Sequence, residues 1–211
     1  MQSASLYRIG GSALVLGAVA NAAAIILHAP QPMDLAAFGS LAQGTWVAAH
    51  WLFVIGSTFI ASGLVALARH LFGTEGEGWA VLGLGTTIVT SALFVSIVAP
   101  EIVAFPILGQ MAGDAGAQHA YTAVNLNLMS SVHVGIPVFG AGLSFFGLAM
   151  LGDPAIPRWM GQAGLAVGIV AIVSNWVLAE QWRAFQAVTV LEYAWLGLAG
   201  KGLMGMKAAA K

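Results

Sequence analysis

Long apolar runs separated by short polar joints are the feature that most limits how this chain can fold. Hydrophobic residues make up 59% of its 211 positions and charged residues only 7%, whereas soluble domains carry roughly 25% charged residues. The joints leave six apolar segments of about 20 to 25 residues, a length that crosses a hydrocarbon core of roughly 30 Å. These segments are Arg8–His28, Thr45–Arg69, Gly78–Ala99, Leu126–Met150, Pro157–Leu178 and Ala184–Leu203. The sequence therefore predicts an all-α integral membrane protein, with one six-helix transmembrane domain over residues 1–211.

The positions of the basic residues predict the orientation. Six spans put both termini on one side of the membrane, and by the positive-inside rule that side is the cytoplasm. The predicted cytoplasmic side holds Arg8, Arg69, Arg158, Lys201, Lys207 and Lys211, whereas the opposite side holds only Arg183. We expect a multi-pass protein of the bacterial inner membrane. Four tryptophans near predicted helix ends are expected to anchor it at the interfaces, namely Trp46, Trp79, Trp159 and Trp182.

Charge and cysteine content exclude several classes of function. The net charge is −1 without a basic block, so nucleic acid is not an expected partner. The chain has no cysteine, which excludes disulfides, iron–sulfur clusters and thiolate-ligated metals. The 27 glycines favour close contacts between helices and would also suit docking against another membrane subunit. Between the third and fourth segments, residues 100–119 begin with an apolar stretch that is expected to form a short helix on the bundle.

Two histidines in the apolar segments predict a cofactor site. His133 lies four residues before Pro137, whose missing N–H is expected to kink the helix and open space beside the imidazole. His50 lies at a similar distance from the cytoplasmic end of its own helix, roughly 27 to 29 Å at about 1.5 Å per residue. Because the two helices would run parallel, His50 and His133 could ligate a haem b between them near the periplasmic face. The alternative is that each imidazole forms a packing hydrogen bond or that one binds a chlorin.

A second group of residues lies at the predicted outer rim. Imidazole and carboxylate groups there would suit zinc, copper or non-haem iron, although the sequence has no tight metal-binding spacing. Solvated loop residues are the alternative interpretation. The group comprises His28, Asp34, His50, Glu101 and His119.

Glu192 lies about nine residues from either end of the sixth segment, near the predicted midplane. An ionisable carboxyl at that depth needs a partner or a proton. The candidate partners are Asn21, Asn175 and Tyr193. Glu192 is therefore a candidate proton-relay or quinone-binding residue, and the alternative is a neutral, hydrogen-bonded packing carboxyl.

Three functions fit these patterns. The first is a cytochrome b-like electron-transfer protein with haem between His50 and His133, exchanging electrons with quinol or a periplasmic partner. The second is a non-catalytic accessory subunit of a larger membrane complex, in which the histidines serve packing or a pigment. The third is a small-solute transporter built around Glu192, which the absence of a visible internal repeat disfavours. Whether the protein is an enzyme is left open.

The opening segment, LYRIGGSALVLGAVANAAAIILHAP, resembles the first helix of six-helix bacterial membrane proteins that are grouped as a domain of unknown function. The resemblance covers mainly this helix and the overall hydropathy. It implies a six-helix membrane fold and no particular activity.

Overall fold

The computed structural model describes residues 4–41, 44–177 and 181–206, and the regular structure in these ranges is entirely helical. Six of the helices are long and two are short. They are α1 (Ala4–Leu27), α2 (Leu35–Leu41), α3 (Trp46–Leu71), α4 (Glu77–Ile102), α5 (Ala104–Gly109), α6 (Ala115–Leu151), α7 (Arg158–Val177) and α8 (Trp182–Gly205). The predicted all-helical class is therefore confirmed.

Five stretches of the described chain are long and apolar enough to cross a membrane. They are α1, α3, the continuous stretch formed by α4 and α5, α6 and α7. The chain thus has the character of a multi-pass helical membrane protein. Helix α8 is as long as α1 but is the least apolar of the long helices, because it carries Arg183, Glu192 and Lys201. The sixth span, the cytoplasmic termini and the particular membrane stay predictions.

The segment between α4 and α6 is more helical than the sequence predicts. Helix α4 continues through Pro100 to Ile102, and α6 begins at Ala115, well before the predicted start at Leu126. Asp114 explains the early start, because its side chain accepts a hydrogen bond from the Ala117 N–H at 2.7 Å and caps the helix. The short helix expected in this segment is α5.

The six long helices form a closed ring in the order α1, α3, α4, α6, α7, α8 and back to α1. Neighbours in this ring pack against each other along their lengths, with α7 and α8 making the smallest contact. Contacts across the ring are few. Successive long helices alternate in direction, so α1 begins and α8 ends at the same end of the bundle, which we name the terminal end.

Two separate hydrophobic cores fill the ring. The core at the terminal end is formed by buried side chains of α1, α3, α6 and α8, including Leu14, Leu64, Leu143 and Leu196. The core at the opposite end, which we name the cluster end, is centred on four aromatic side chains, Phe38 of α2, Phe105 of α5, Trp46 and Tyr121, with aliphatic side chains such as Leu35 and Leu128 around them. The short helices thus cover the cluster end as a cap.

Helices α6 and α7 approach closely enough that their backbones touch. A Cβ atom placed on Gly147 would lie 2.7 Å from the Gly161 carbonyl oxygen and against the backbone nitrogen of Leu165. Backbone atoms cannot move aside as a flexible side chain can. Small residues at such crossings provide the dispersion contacts that hold helices together in lipid.

We expect Gly147→Ala to lower the free energy of unfolding by about 1 to 3 kcal/mol, because the new methyl group overpacks the α6–α7 contact. The matched control is Gly85→Ala on the exposed face of α4, where nothing lies within 4 Å of the added Cβ. That substitution should be neutral or stabilising by up to about 1 kcal/mol. Reversible unfolding in mixed micelles would measure both values, and equal effects would contradict the close contact.

Candidate metal centre

Three ionisable side chains, two from helices and one from the residue after α1, meet at the cluster end. His28 directly follows α1, His50 lies one turn into α3, and Glu101 lies in the last turn of α4, directly after Pro100. His50 Nε2 lies 2.9 Å from Glu101 Oε2 and 3.2 Å from His28 Nε2. The three ligand atoms all lie within 4.8 Å of one another. We refer to His28, His50 and Glu101 as the His–His–Glu cluster.

The cluster is buried. His50 exposes 1% of its surface and Glu101 4%, and His28 is partly buried. Burial makes any charge on these groups costly unless it is balanced by an opposite charge or by hydrogen bonds. The side chains therefore have to be considered together rather than as separate solvated residues.

Trp46 links two members of the cluster through its backbone and its indole ring. The Trp46 carbonyl oxygen lies 2.7 Å from His50 Nδ1, and because a carbonyl can only accept, His50 Nδ1 carries the proton that it donates. The Trp46 indole N–H donates to the Glu101 carbonyl oxygen at 3.2 Å. Metal-binding histidines usually have such a partner for the nitrogen that does not bind the metal.

These bonds determine what can lie between His50 and Glu101. With Nδ1 protonated, Nε2 of a neutral His50 has a lone pair, and it faces a carboxylate oxygen that also has only lone pairs. Two acceptors 2.9 Å apart require a cation between them, either a proton or a metal ion. The proton alternative leaves an imidazolium–carboxylate pair or a carboxylic acid in a buried site.

His28 completes the site from the end of α1. Its ring lies among aromatic rings, with centroids 4.7 Å from Trp46, 4.8 Å from His50 and 5.2 Å from Trp182. Burial, with His50 adding to the effect, lowers the pKa of His28 to about 3. The imidazole is therefore neutral at neutral pH, the state in which histidine binds metals. The Gln186 amide donates to the His28 carbonyl oxygen at 3.2 Å and holds this part of the chain against α8.

A cavity of about 210 Å³ extends from the cluster into the ring. Apolar side chains of α3, α4 and α6, such as Val54, Phe94 and Val132, form a large part of its wall. All three members of the His–His–Glu cluster line it, and His133 lines it as well. The two histidines that the sequence suggested for haem thus border one space.

The other predicted site residues lie outside the cluster. His133 is exposed on α6, and its carbonyl oxygen accepts a hydrogen bond from Asn175 Nδ2 at 2.9 Å. His119 is exposed near the start of α6. Asp34 is also exposed, and its carboxylate accepts from the Ala37 N–H at 2.8 Å at the start of α2. Of the outer-rim group, the structure brings together His28, His50 and Glu101.

Glu192 is buried in α8, as the sequence suggests, with 3% of its surface exposed. Its Oε1 atom has no hydrogen-bond partner among the described residues. Asn175, one of its expected partners, donates to the His133 carbonyl. Glu192 is therefore not part of the His–His–Glu cluster, and its role as a proton-relay or quinone-binding group stays a prediction.

The residue that sequence reasoning misplaced is Trp46. Its position near a helix end suggested an interfacial anchor, but only 1% of its surface is exposed. The signal that could have identified it is its spacing, since Trp46 lies four residues before His50 in the same helix. At this spacing a histidine side chain can reach the carbonyl oxygen of the preceding turn.

Compared with known proteins, the chain matches no family model, no curated protein and no solved structure.

We expect Trp46→Phe to lower the free energy of unfolding by about 1 to 3 kcal/mol, because the buried Glu101 carbonyl loses its indole donor. The matched control is Trp176→Phe on α7, where 76% of the tryptophan is exposed. The control should change stability by less than about 0.5 kcal/mol. Unfolding of both variants in mixed micelles tests this, and a Trp46 variant as stable as the control would be incompatible with the bond.

Proposed function

We propose that this protein is a membrane-embedded metalloprotein in which His28, His50 and Glu101 bind one divalent transition-metal ion. The observation that carries the proposal is the convergence of two imidazole nitrogens and one carboxylate oxygen within 4.8 Å in a buried site. Two histidines and one carboxylate are a recurrent ligand set of catalytic zinc and of non-haem iron.

The distances between the ligand atoms support a metal of ordinary size. Zinc bonds to nitrogen and oxygen of about 2.0 to 2.2 Å place neighbouring ligands of a tetrahedral ion about 3.3 Å apart. The separations here are 2.9 Å from His50 to Glu101 and 3.2 Å from His28 to His50, and the third pair, His28 and Glu101, lies within 4.8 Å. Small side-chain movements would therefore admit the ion without rearrangement of the helices.

The number of protein ligands fits catalytic zinc. The aromatic rings of Trp46 and Trp182 pack against His28, with ring centroids 4.7 and 5.2 Å away. Three protein ligands with one position left open is the arrangement of catalytic zinc, in which a water or substrate takes the fourth position. That position would face the cavity that the cluster lines. A zinc ion there would act as a Lewis acid on a molecule held in the cavity.

The proposal includes the topology expected from the basic residues. Helix α8 would be the sixth span, since it is as long as α1 and packs along it to close the ring. Both termini would then lie in the cytoplasm, and the metal centre would lie near the periplasmic surface of a bacterial inner membrane. A site close to that surface can take up metal ions without carrying them across the bilayer.

We expect the purified protein, stripped with a chelator and reloaded with Zn²⁺, to retain one ion per chain after desalting. His50→Ala and Glu101→Gln should each weaken binding by more than the roughly 10- to 100-fold that the loss of a ligand's hydrogen-bonded partner costs. Elemental analysis measures the stoichiometry. Competition with a chromophoric chelator measures the affinity, and metal binding should also raise the Tm of the wild type.

The matched controls are His119→Ala and His133→Ala, because both histidines are exposed and neither belongs to the His–His–Glu cluster. Zinc affinity should be unchanged in both variants. A folded wild type that retains no Zn²⁺, Co²⁺ or Fe²⁺ would refute the metal site. Equal losses in the control and cluster variants would show that binding is non-specific.

The second candidate is the bis-histidine haem, and the observation in its favour is that His50 and His133 line the same cavity. Haem ligation through His50 Nε2 would require this atom to leave both Glu101 and His28. The resulting protein would carry electrons to or from quinol or a periplasmic partner.

We expect the two candidates to separate in the absorption spectrum of protein produced with haem supplied. A haem protein would show a Soret band and an alpha band that sharpens on reduction with dithionite, and His133→Ala would abolish that band. A zinc protein would be colourless, and His133→Ala would retain its metal. Haem in the wild type that survives both His50→Ala and His133→Ala would exclude this pair as its ligands.

A further inference from the structure

The cavity beside the His–His–Glu cluster has the lining of a binding site for an aromatic molecule. Five aromatic side chains contribute to its wall, namely Phe53, Phe94, Trp182, Phe185 and Tyr193. Aromatic rings prefer stacked or edge-to-face contacts with one another, so a planar ring gains more here than a saturated ring of the same size. The aliphatic part of the wall supplies dispersion contacts, which do not select a particular substituent on the ligand.

The charges around the cavity favour a neutral molecule. None of the described residues that line it is a lysine or an arginine. Beyond the cluster, its polar groups are hydroxyls, two amides and one imidazole, contributed by Gln31, Ser57, His133, Asn175, Thr189 and Tyr193. Away from the metal position, a charged group on the ligand would lack a partner in such a wall, and a buried charge without one is costly.

The volume of about 210 Å³ limits the size of the buried part of the ligand. An apolar protein cavity of about 150 Å³ holds one benzene molecule. The cavity here therefore suits one substituted six-membered ring. It is partly open, and the lining residues Val95 and His133 are also exposed on the outer surface of the bundle. In a membrane-spanning chain this surface faces lipid, so a tail on the ring could extend into the bilayer.

The net charge of the proposed metal centre indicates which polar group the aromatic ring of the ligand carries. A divalent ion held by two neutral histidines and one carboxylate has a net charge of +1, which is unfavourable in a buried apolar site. A hydroxide or phenolate oxygen in the fourth position would reduce the charge to zero. A phenol, with a pKa near that of tyrosine at about 10, ionises far more readily than an aliphatic alcohol. The phenol proton would pass to the metal-bound hydroxide, which leaves as water.

We propose that the cavity binds a neutral phenol, with its ring among Phe53, Phe94 and Phe185 and its oxygen in the open position of the metal. This inference rests on the proposed metal centre and names the class of molecule that the centre acts upon. Small phenols and the phenolic ring of a membrane quinol share this chemistry. A membrane quinol differs from a small phenol in carrying an apolar tail. Such a tail would have to leave the cavity through the opening towards lipid beside Val95 and His133.

The experiment uses the full-length protein loaded with Co²⁺ as a spectroscopic substitute for zinc. Para-cresol, toluene and para-nonylphenol are titrated separately at one fixed detergent concentration. Tryptophan fluorescence reports occupancy, and the ligand-field bands of Co²⁺ report a new metal ligand. We expect para-cresol to shift the Co²⁺ bands and to bind at least about tenfold more tightly than toluene, since toluene lacks the oxygen ligand.

A pair of variants on α6 controls for partition into the detergent. Val132 lines the cavity, whereas Val134, two residues away, is 62% exposed on the outer surface. Val132→Phe should fill the cavity and abolish the response to para-cresol while Co²⁺ stays bound. Val134→Phe should behave as the wild type. If Val132→Phe does not fold, the comparison of para-cresol with toluene on the wild type still decides the matter.

The outcomes separate the two proposals. Bound Co²⁺ whose bands do not respond to para-cresol would overturn the phenol inference and leave the metal centre intact. Protein that binds no Co²⁺ would overturn the metal centre and the phenol inference with it. If para-cresol shifts the bands, tight binding of para-nonylphenol identifies a tailed membrane phenol as the ligand class, and its failure to bind identifies a small free phenol.

Discussion

The contact between His50 Nε2 and Glu101 Oε2 is the interaction on which the cluster end of the molecule depends. It joins α3 to α4 at a distance of 2.9 Å in a site from which water is largely excluded. Trp46 strengthens the same junction twice, through its carbonyl oxygen and its indole N–H. Because the Trp46 carbonyl fixes the proton on His50 Nδ1, the opposite nitrogen is presented to the carboxylate. A proton or a metal ion is therefore required between His50 Nε2 and Glu101 Oε2.

The polar junction lies in the part of the ring that side chains do not fill completely. At the terminal end, leucines and glycines let the helices pack closely around one apolar core. At the cluster end, buried ionisable groups cannot interdigitate with aliphatic side chains without losing their partners. The aromatic core under α2 and α5 closes this end from above, and the cavity remains between the two cores. The site and the cavity thus lie side by side at the cluster end.

Much of the architecture follows from hydropathy, because the length of an apolar run and the positions of its polar joints are local properties of the sequence. The all-helical class could therefore be predicted, and so could five of the candidate spans. The early start of α6 could not, since it depends on one cap made by Asp114. The sequence also named His28, His50 and Glu101 among its outer-rim residues. It could not select them from His119, because selection depends on how the loops fold back onto the bundle.

The choice between a metal ion and haem at His50 is a question of how many buried groups each occupant satisfies. Haem ligation would use His50 Nε2 and leave the Glu101 carboxylate and the His28 nitrogen buried beside it without their present partner. A divalent ion would bind all three atoms and neutralise the carboxylate. Leaving a charged buried group unpaired costs more than forming one bond to it gains. The arrangement of the three side chains therefore suits the proposed metal ion better than haem. His133 would then line the cavity without binding a metal.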